Sequence, residues 1–457
     1  MTSTIRRIVA LAVLALVVAA ATGCVKSSRQ QSTGKGLIRG INAIATAPTV
    51  SFAIEEFGLG SVDFKESTSF NSYDNLSYNF NFDLFRPGVL EADRLATEFI
   101  DVVSDTEYTV ILTGSIANPS SLVWEETARE WAETDTVFEL MFGHVASQVG
   151  ELDVYFAPSG TVPTLGQRIG TLTFGERLPI EEFEQDDGPY ELILTERGDP
   201  ASIIFQSTPL EPNAQTRNTI VVFDPDPTLP GNVGVNVIGQ SGASTRIADI
   251  NFPSQARTLH AALGTANYDG YLDSNFADLV FSDITFLELS PYADVATGTS
   301  LLTLTQVGNM GATIHEADIS VTAASRRTIV LAGLPGELSF ITLADNARPI
   351  EIYGQLRIVN AASNTGFLDV YVLDPGTPVD DDAVPRVLGI PPLAATSFIG
   401  LVEGTKELTV TPTGEKTPIS ASVVVDLANG DRVDVTIVDT VDPDVVELVP
   451  FEIQLAP

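Results

Sequence analysis

Side chains able to do chemistry are few in this sequence. Three histidines, His144, His260 and His315, stand far apart in the chain. The run His315-Glu-Ala-Asp-Ile319 begins like a zinc-protease helix. Ile319 stands where a second imidazole must lie one helical turn on, so that face cannot chelate a metal. No G-x-S-x-G elbow, phosphate-binding loop or dinucleotide fingerprint is present, and Cys24 is the sole thiol. The 60 Asp and Glu residues supply many carboxylate pairs of the kind a glycosidase holds about 5 to 10 Å apart across a sugar. Nothing in their spacing nominates one pair. Acidic turns at Asp186-Asp187, Asp224-Pro-Asp226, Asp380-Asp381-Asp382 and Asp439 to Asp444 carry oxygen ligands suited to calcium, with Asp380, Asp381 and Asp382 as weak candidates. None has the alternating ligand and Gly spacing of a defined calcium loop, and solvated turns are the simpler reading. These residues point to a protein that is not an enzyme and has no required cofactor.

Cys24 has a different chemistry. Arg6 and Arg7 precede an apolar run from Ile8 to Ala21, shorter than the roughly 20 residues a permanent membrane helix needs. Residues 1–23 therefore read as a signal peptide. The run ends in Ala21-Thr22-Gly23-Cys24, which resembles the lipobox of bacterial lipoproteins, where the cysteine thiol receives diacylglycerol. Ala21 stands where that family more often has Leu. Val25 follows the cysteine in place of Asp, which resembles the outer-membrane sorting pattern. The expectation is an exported chain, lipid-anchored to the cell envelope through a tether at 24–35.

Removing residues 1–23 leaves 434 residues with 22 basic against 60 acidic side chains, a net charge of −38. Such a surface repels nucleic acid and anionic headgroups and favours solubility. A hydrophobic fraction of 44% is too high for disorder. An exported protein whose one cysteine sits at the cleavage point has no disulfides, so packing alone must hold several domains of ordinary size.

The elements that would position any site repeat. Leu356-Arg-Ile-Val-Asn360-Ala-Ala-Ser has a counterpart in Leu140-Met-Phe-Gly-His144-Val-Ala-Ser, and nine residues after Asn360 or His144 comes the tripeptide Asp369-Val-Tyr371 or Asp153-Val-Tyr155. Weaker copies place Asn42 before Ser51, and Asn251 before His260, at the same distance. The anchors Asn42, His144, Asn251 and Asn360 are then spaced by 102, 107 and 109 residues. On this register the first and third copies lack both the Asp and the Tyr. Downstream, a period-2 strand ends in Gly at Gly88, Gly198, Gly308 and Gly414, and a further strand follows at 107–112, 218–223, 327–331 and 432–437. The one helical candidate is Trp124 to Trp131. Trp124 precedes His144 by 20 residues as Phe340 precedes Asn360, which argues for a repeat strand, with both Trp as core or inter-domain packing.

Short strands punctuated by Gly, Pro, Asn and Asp in units of about 105 residues fit an all-β chain of four tandem immunoglobulin-like β-sandwiches of roughly seven strands each. The boundaries expected are 36–136, 137–243, 244–354 and 355–457. The pattern of Asn or His, Ala-Ser, Asp-Val-Tyr and a turn such as Asp374-Pro-Gly-Thr-Pro-Val379 resembles a family of bacterial cell-envelope domains of unknown function, often lipoproteins with tandem copies. Leu343-Ala-Asp-Asn346 also looks like that family. The resemblance implies architecture and compartment, and no catalytic residues. Asn360 and Asp369 are read as a structural pair flanking the loop Ala361 to Leu368 at the end of an antiparallel strand pair, with His144 and Asp153 in the same parts. The function expected is a binding or structural module, four sandwiches in a row, with the membrane as partner through its lipid and an envelope protein or polysaccharide as ligand. A polysaccharide hydrolase or accessory subunit, and a calcium-dependent adhesin, are the alternatives.

Overall fold

The computed structural model describes residues 33–273 and 275–452. The expected signal peptide at 1–23, Cys24 and Val25 lie outside the described residues. The chain is all-β. The strands of the described residues form eight small sheets, which pair off along the chain into four sandwiches.

The first holds β1 (Lys35–Asn42), β2 (Val50–Ile54), β3 (Phe57–Val62), β4 (Asn71–Asp74), β5 (Ser77–Leu84), β6 (Asp93–Asp101), β7 (Thr106–Gly114) and β8 (Pro119–Thr127). Its sheets run β4-β1-β7-β8 and β3-β2-β5-β6. The second holds β9 (Val137–His144), β10 (Leu152–Pro158), β11 (Gly170–Leu172), β12 (Glu181–Glu184), β13 (Tyr190–Glu196), β14 (Ile203–Gln206), β15 (Arg217–Phe223), β16 (Gly234–Ile238) and β17 (Ser244–Arg246). Its sheets run β12-β9-β15-β16-β17 and β11-β10-β13-β14. The third holds β18 (Ser254–His260), β19 (Tyr268–Leu272), β20 (Asn275–Ile284), β21 (Ala293–Val295), β22 (Gly298–Gln306), β23 (Asn309–Val321), β24 (Arg326–Leu334) and β25 (Glu337–Ala344), as β21-β18-β24-β25 and β20-β19-β22-β23. The fourth holds β26 (Gly354–Asn360), β27 (Leu368–Leu373), β28 (Val387–Ile390), β29 (Ala394–Ala395), β30 (Ile399–Leu401), β31 (Gly404–Pro412), β32 (Val423–Leu427), β33 (Arg432–Asp439) and β34 (Val446–Glu452). Its sheets run β29-β26-β33-β34, with β30 also on β26, and β28-β27-β31-β32.

In every sandwich the first strand lies parallel to the strand that returns last but one or two: β1 on β7, β9 on β15, β18 on β24 and β26 on β33. The sheet built on that pair is here called the anchor sheet, and the other the outer sheet. The second strand of each sandwich crosses to the outer sheet. The two strands flanking each anchor residue are therefore in facing sheets, and the expected antiparallel pairing of the strands around Asn360 and Asp369 is corrected: β26 and β27 do not pair.

Two further expectations change. β17 pairs with β16, so the second sandwich extends past residue 243 and the boundary at 244 cuts its sheet. Trp124 lies in β8, which runs to Thr127, so residues 124–131 form no helix.

Why the anchor sheets read as unbroken apolar runs follows from what covers them. In Ile220-Val221-Val222-Phe223, Ile220 and Val222 enter the core of their own sandwich. Val221 and Phe223 face outward and pack with Ile41, Ile111 and Trp124 of the first. Likewise Ile329 and Leu331 fill the third core while Val330 and Ala332 meet Val359, Ala361 and Val438 of the fourth. A strand buried on both faces cannot alternate. The four sandwiches are thus two face-to-face pairs, not a row. The Trp124 indole lies where a Cβ on Gly143 would be, 2.2 Å from its nearest ring carbon, and its Nε1–H donates to Gly175 O at 3.0 Å. Gly143 is therefore required by the pairing.

Candidate functional site

Each anchor residue ends its strand with the same local device. The Asn360 Oδ1 accepts the Ala362 N–H at 3.2 Å, and its Nδ2 donates to Pro391 O at 3.0 Å. Asn42 Oδ1 accepts the Ile44 N–H at 3.1 Å. His144 does the same with a ring: Nδ1 accepts the Ala146 N–H at 3.1 Å and Nε2 reaches Gly150 O at 3.0 Å. These are Asx-type turns, in which a side-chain acceptor takes the amide two residues on. Asn and His interchange because both offer an acceptor at that reach and a donor beyond it. The bonds place the His144 proton on Nε2, and burial holds the imidazole below its usual range.

The third sandwich uses His260, not Asn251. His260 Nδ1 accepts the Ala262 N–H at 3.3 Å, Nε2 reaches Ala266 O at 3.3 Å, and burial lowers this imidazole too. Asn251 sits in a turn before β18 with its N–H and Nδ2 on Asp249 Oδ1. The corrected anchors are 42, 144, 260 and 360, spaced by 102, 116 and 100 residues. Even spacing misled because loop length costs little free energy and drifts between copies. The new register restores the tripeptide as Asp269-Gly-Tyr271, nine residues after His260.

The aspartates act on the outer sheet. Asp153 accepts Gly198 N–H at 2.8 Å, Asp269 accepts Gly308 N–H at 2.9 Å and Asp369 accepts Gly414 N–H at 3.0 Å. Asp369 also takes Gly389 N–H at 2.8 Å and Thr413 Oγ1 at 3.1 Å. Asp153 also takes Thr171 Oγ1 at 2.6 Å and Arg168 Nη1 at 3.1 Å. Burial alone would raise the Asp153 carboxyl, but the bonds from Thr171, Gly198 and Arg168 outweigh it and hold the group below the usual range. None of these carboxylates bonds the anchor residue. The expected donors from the loop or the Asn360 amide are replaced by the glycine that closes the period-2 strand. In the first sandwich Ser51 bonds Ser61 through its hydroxyl at 2.7 Å instead.

Residues three before the anchors were not singled out by sequence. Arg39, Arg257 and Arg357 project from the outward face of the anchor sheets and are buried. Arg357 grips Asp434 with Nε at 2.8 Å and Nη2 at 2.6 Å, and its Nη1 donates to Ala344 O at 2.8 Å. Asp345 stands 3.4 Å from Arg357 Nη2 and accepts Thr328 Oγ1 at 2.6 Å and the Tyr292 hydroxyl at 2.8 Å. Arg257 Nε donates to Thr328 Oγ1 at 2.9 Å. Between the first two sandwiches Arg39 donates to Thr109 at 2.9 Å and to Thr219 at 2.8 Å. The signal was Arg within an otherwise apolar strand, which demands a buried partner.

The two pairs meet along the connection from Asp345 to Tyr353. Arg348 Nη1 donates to Ala45 O and Ala47 O, and its guanidinium lies 5.2 Å from the Phe64 ring centre. Glu351 N–H donates to Thr46 O at 3.0 Å. Next to it Lys65 Nζ donates to Asp226 Oδ2 at 2.8 Å, and Thr228 donates to Asp226 Oδ1 at 2.7 Å. Burial would raise the Asp226 carboxyl, but Lys65 and Thr228 outweigh it and hold it below the usual range. Around this seam opens a cleft of about 690 Å³. Thr49 and Asp63 of the first sandwich, Asp226 of the second, Arg348 and Tyr353 of the connection and Phe398 of the fourth border it, together with Thr342 of β25.

Asp380, Asp381 and Asp382 sit in an exposed turn, where Asp380 Oδ1 accepts the N–H groups of Asp382 and Ala383 at 3.1 Å. Among the described residues no group of three or more His, Cys, Asp or Glu is placed to hold a metal ion. No helix among the described residues is long and apolar enough to cross a membrane. No curated protein matches the chain. Residues 254–371, from the first residue of β18 through Tyr371 in β27, match a domain of unknown function, DUF4397.

Proposed function

We propose that this chain is a non-catalytic lipoprotein of the bacterial cell envelope, tethered through Cys24, that holds a neutral polysaccharide segment in the cleft between its two sandwich pairs. The observation that carries this reading is the cleft itself, to which residues of all four sandwiches contribute. Its volume falls in the range of small-ligand sites. Tyr353 and Phe398 offer partly exposed aromatic faces and Thr49, Asp63 and Ser397 hydrogen-bonding groups, a mixture suited to a hydroxyl-rich ligand. The net charge of −36 disfavours an anionic glycan. Hydrolysis would need a carboxyl kept protonated as general acid. Asp226, held ionised by Lys65, is unsuited to that part, which supports binding without turnover.

Neutral oligosaccharides released from the cell's own envelope polysaccharide, titrated calorimetrically into the full chain, test the reading. Saturable binding is expected, abolished by Tyr353→Ala with unchanged melting and by Phe398→Ala, whose ring also packs on the Arg357 guanidinium. Absence of binding, or binding indifferent to both substitutions, overturns it.

A further inference from the structure

A second cavity, of about 470 Å³, opens into the interior of the second sandwich. Its floor is Leu140, Phe156, Ile220 and Ile247, all buried and all part of that sandwich's own core. The opening has a local cause. β14 has only four residues, and the outer and anchor sheets are joined just beyond it by the bridge between Ser207 and Asp249. Past that bridge the segment stays on the outer sheet through a single bridge from Leu210 to Tyr190, so Leu210 forms one wall, Val237 and Ala248 the other, and Ala323 of the third sandwich borders the side. The result is apolar space that reaches core side chains and is bounded by two sandwiches. Its size and lining are those of a small-molecule site, an apolar floor with polar groups about the mouth.

The mouth fixes the kind of head the occupant carries. Arg246 lines it and is drawn toward the third sandwich, Nη1 donating to Ala324 O at 3.0 Å and Nη2 to Ala323 O. The remaining groups are the hydroxyls of Thr208 and Thr245, the Asn218 amide and the exposed carboxylate of Glu211. The one cation of the lining, Arg246, is balanced by the one anion, Glu211, and the chain as a whole carries −36, which disfavours an anionic head. We infer that this cavity binds a neutral single-chain amphiphile, its alkyl body against Phe156 and Ile220 and its hydroxylated head at Thr208 and Thr245. The site is separate from the junction cleft and stands or falls without it.

The test uses the full mature chain carrying Cys24→Ser, so that no detergent competes. A monoacylglycerol, titrated below its aggregation concentration, is compared by equilibrium dialysis with the fatty acid of equal chain length at neutral pH. Saturable binding at a single site is expected for the monoacylglycerol, with the fatty acid at least about tenfold weaker. Ala248→Phe fills the cavity from its own sandwich and Ala323→Leu fills it from the loop between β23 and β24 of the next. Each should weaken binding at least about tenfold, since the added carbons displace methylenes of the ligand. Should Ala248→Phe lower the melting temperature, Ala323→Leu decides. No saturable binding, equal or tighter binding of the fatty acid, or full binding by Ala323→Leu overturns the proposal.

Discussion

Across the end of the fourth outer sheet, the Asp369 carboxylate accepts the Gly414 amide at 3.0 Å, and the same bond recurs from Asp153 to Gly198 and from Asp269 to Gly308. The three glycines have φ of +83°, +78° and +68°, a region L side chains rarely adopt. Each turns the chain so that its N–H points back at the neighbouring strand, where the buried carboxylate accepts it.

Asp369→Ala leaves the Gly389 and Gly414 amides without that acceptor and should cost about 1 to 3 kcal/mol. Hydrogen exchange at the two amides and the urea midpoint of the full chain report it. Unchanged protection together with an unchanged midpoint would show that the bond carries no stability.

His144 and His260 should make stability pH-dependent on the acid side of neutrality. Burial lowers both imidazoles in the folded chain, so below the unfolded pKa of about 6.5 the unfolded state binds protons that the folded state refuses, and stability falls with pH. Above that pH the effect is absent. Asn at both positions, as nature has at Asn42 and Asn360, keeps the turn bond and does not titrate. The double variant His144→Asn, His260→Asn should therefore lose less melting temperature between about pH 7.5 and about pH 5 than the parent. An equal or larger loss contradicts the assignment.

Arg357→Met strands Asp434 and leaves Asp345 short of a partner in the buried seam of the second pair. Removing one member of a buried ion pair costs about 3 to 5 kcal/mol. Replacing Asp434 by Leu as well should return part of that loss. If the single variant melts like the parent, the network is dispensable to the pairing.

Cys24→Ser should move the protein from the membrane fraction to the soluble one. Retention of the variant on membranes after a high-salt wash would refute the lipid tether.

The sequence by itself determined the all-β character, the strands with period-2 alternation and the turn residues, because alternation, Asn and Gly act through local geometry. It also held the nine-residue step from anchor to aspartate at Asp153 and Asp369, with Ser51 in the same place of the first copy; Asp269 joins them only on the corrected register. Register in the third sandwich was not legible from one chain. Asn251 imitates an anchor in residue type and spacing, and only strand pairing shows that His260 ends β18. The link from Asp369 to Gly414 joins residues 45 apart, and no local rule predicts which buried carboxylate meets which amide. Pairing of the sandwiches lay half visible: Val221 and Phe223 break the alternation of β15, which signals a second buried face without naming what covers it. Tertiary structure alone decided that the partner is the preceding sandwich, that Arg357 meets Asp434 of the neighbouring strand β33 on the face turned to that partner, and that the seam between pairs opens into a cleft. Those outcomes depend on the fit of whole surfaces, where apolar area, buried charge and excluded water are settled together rather than residue by residue.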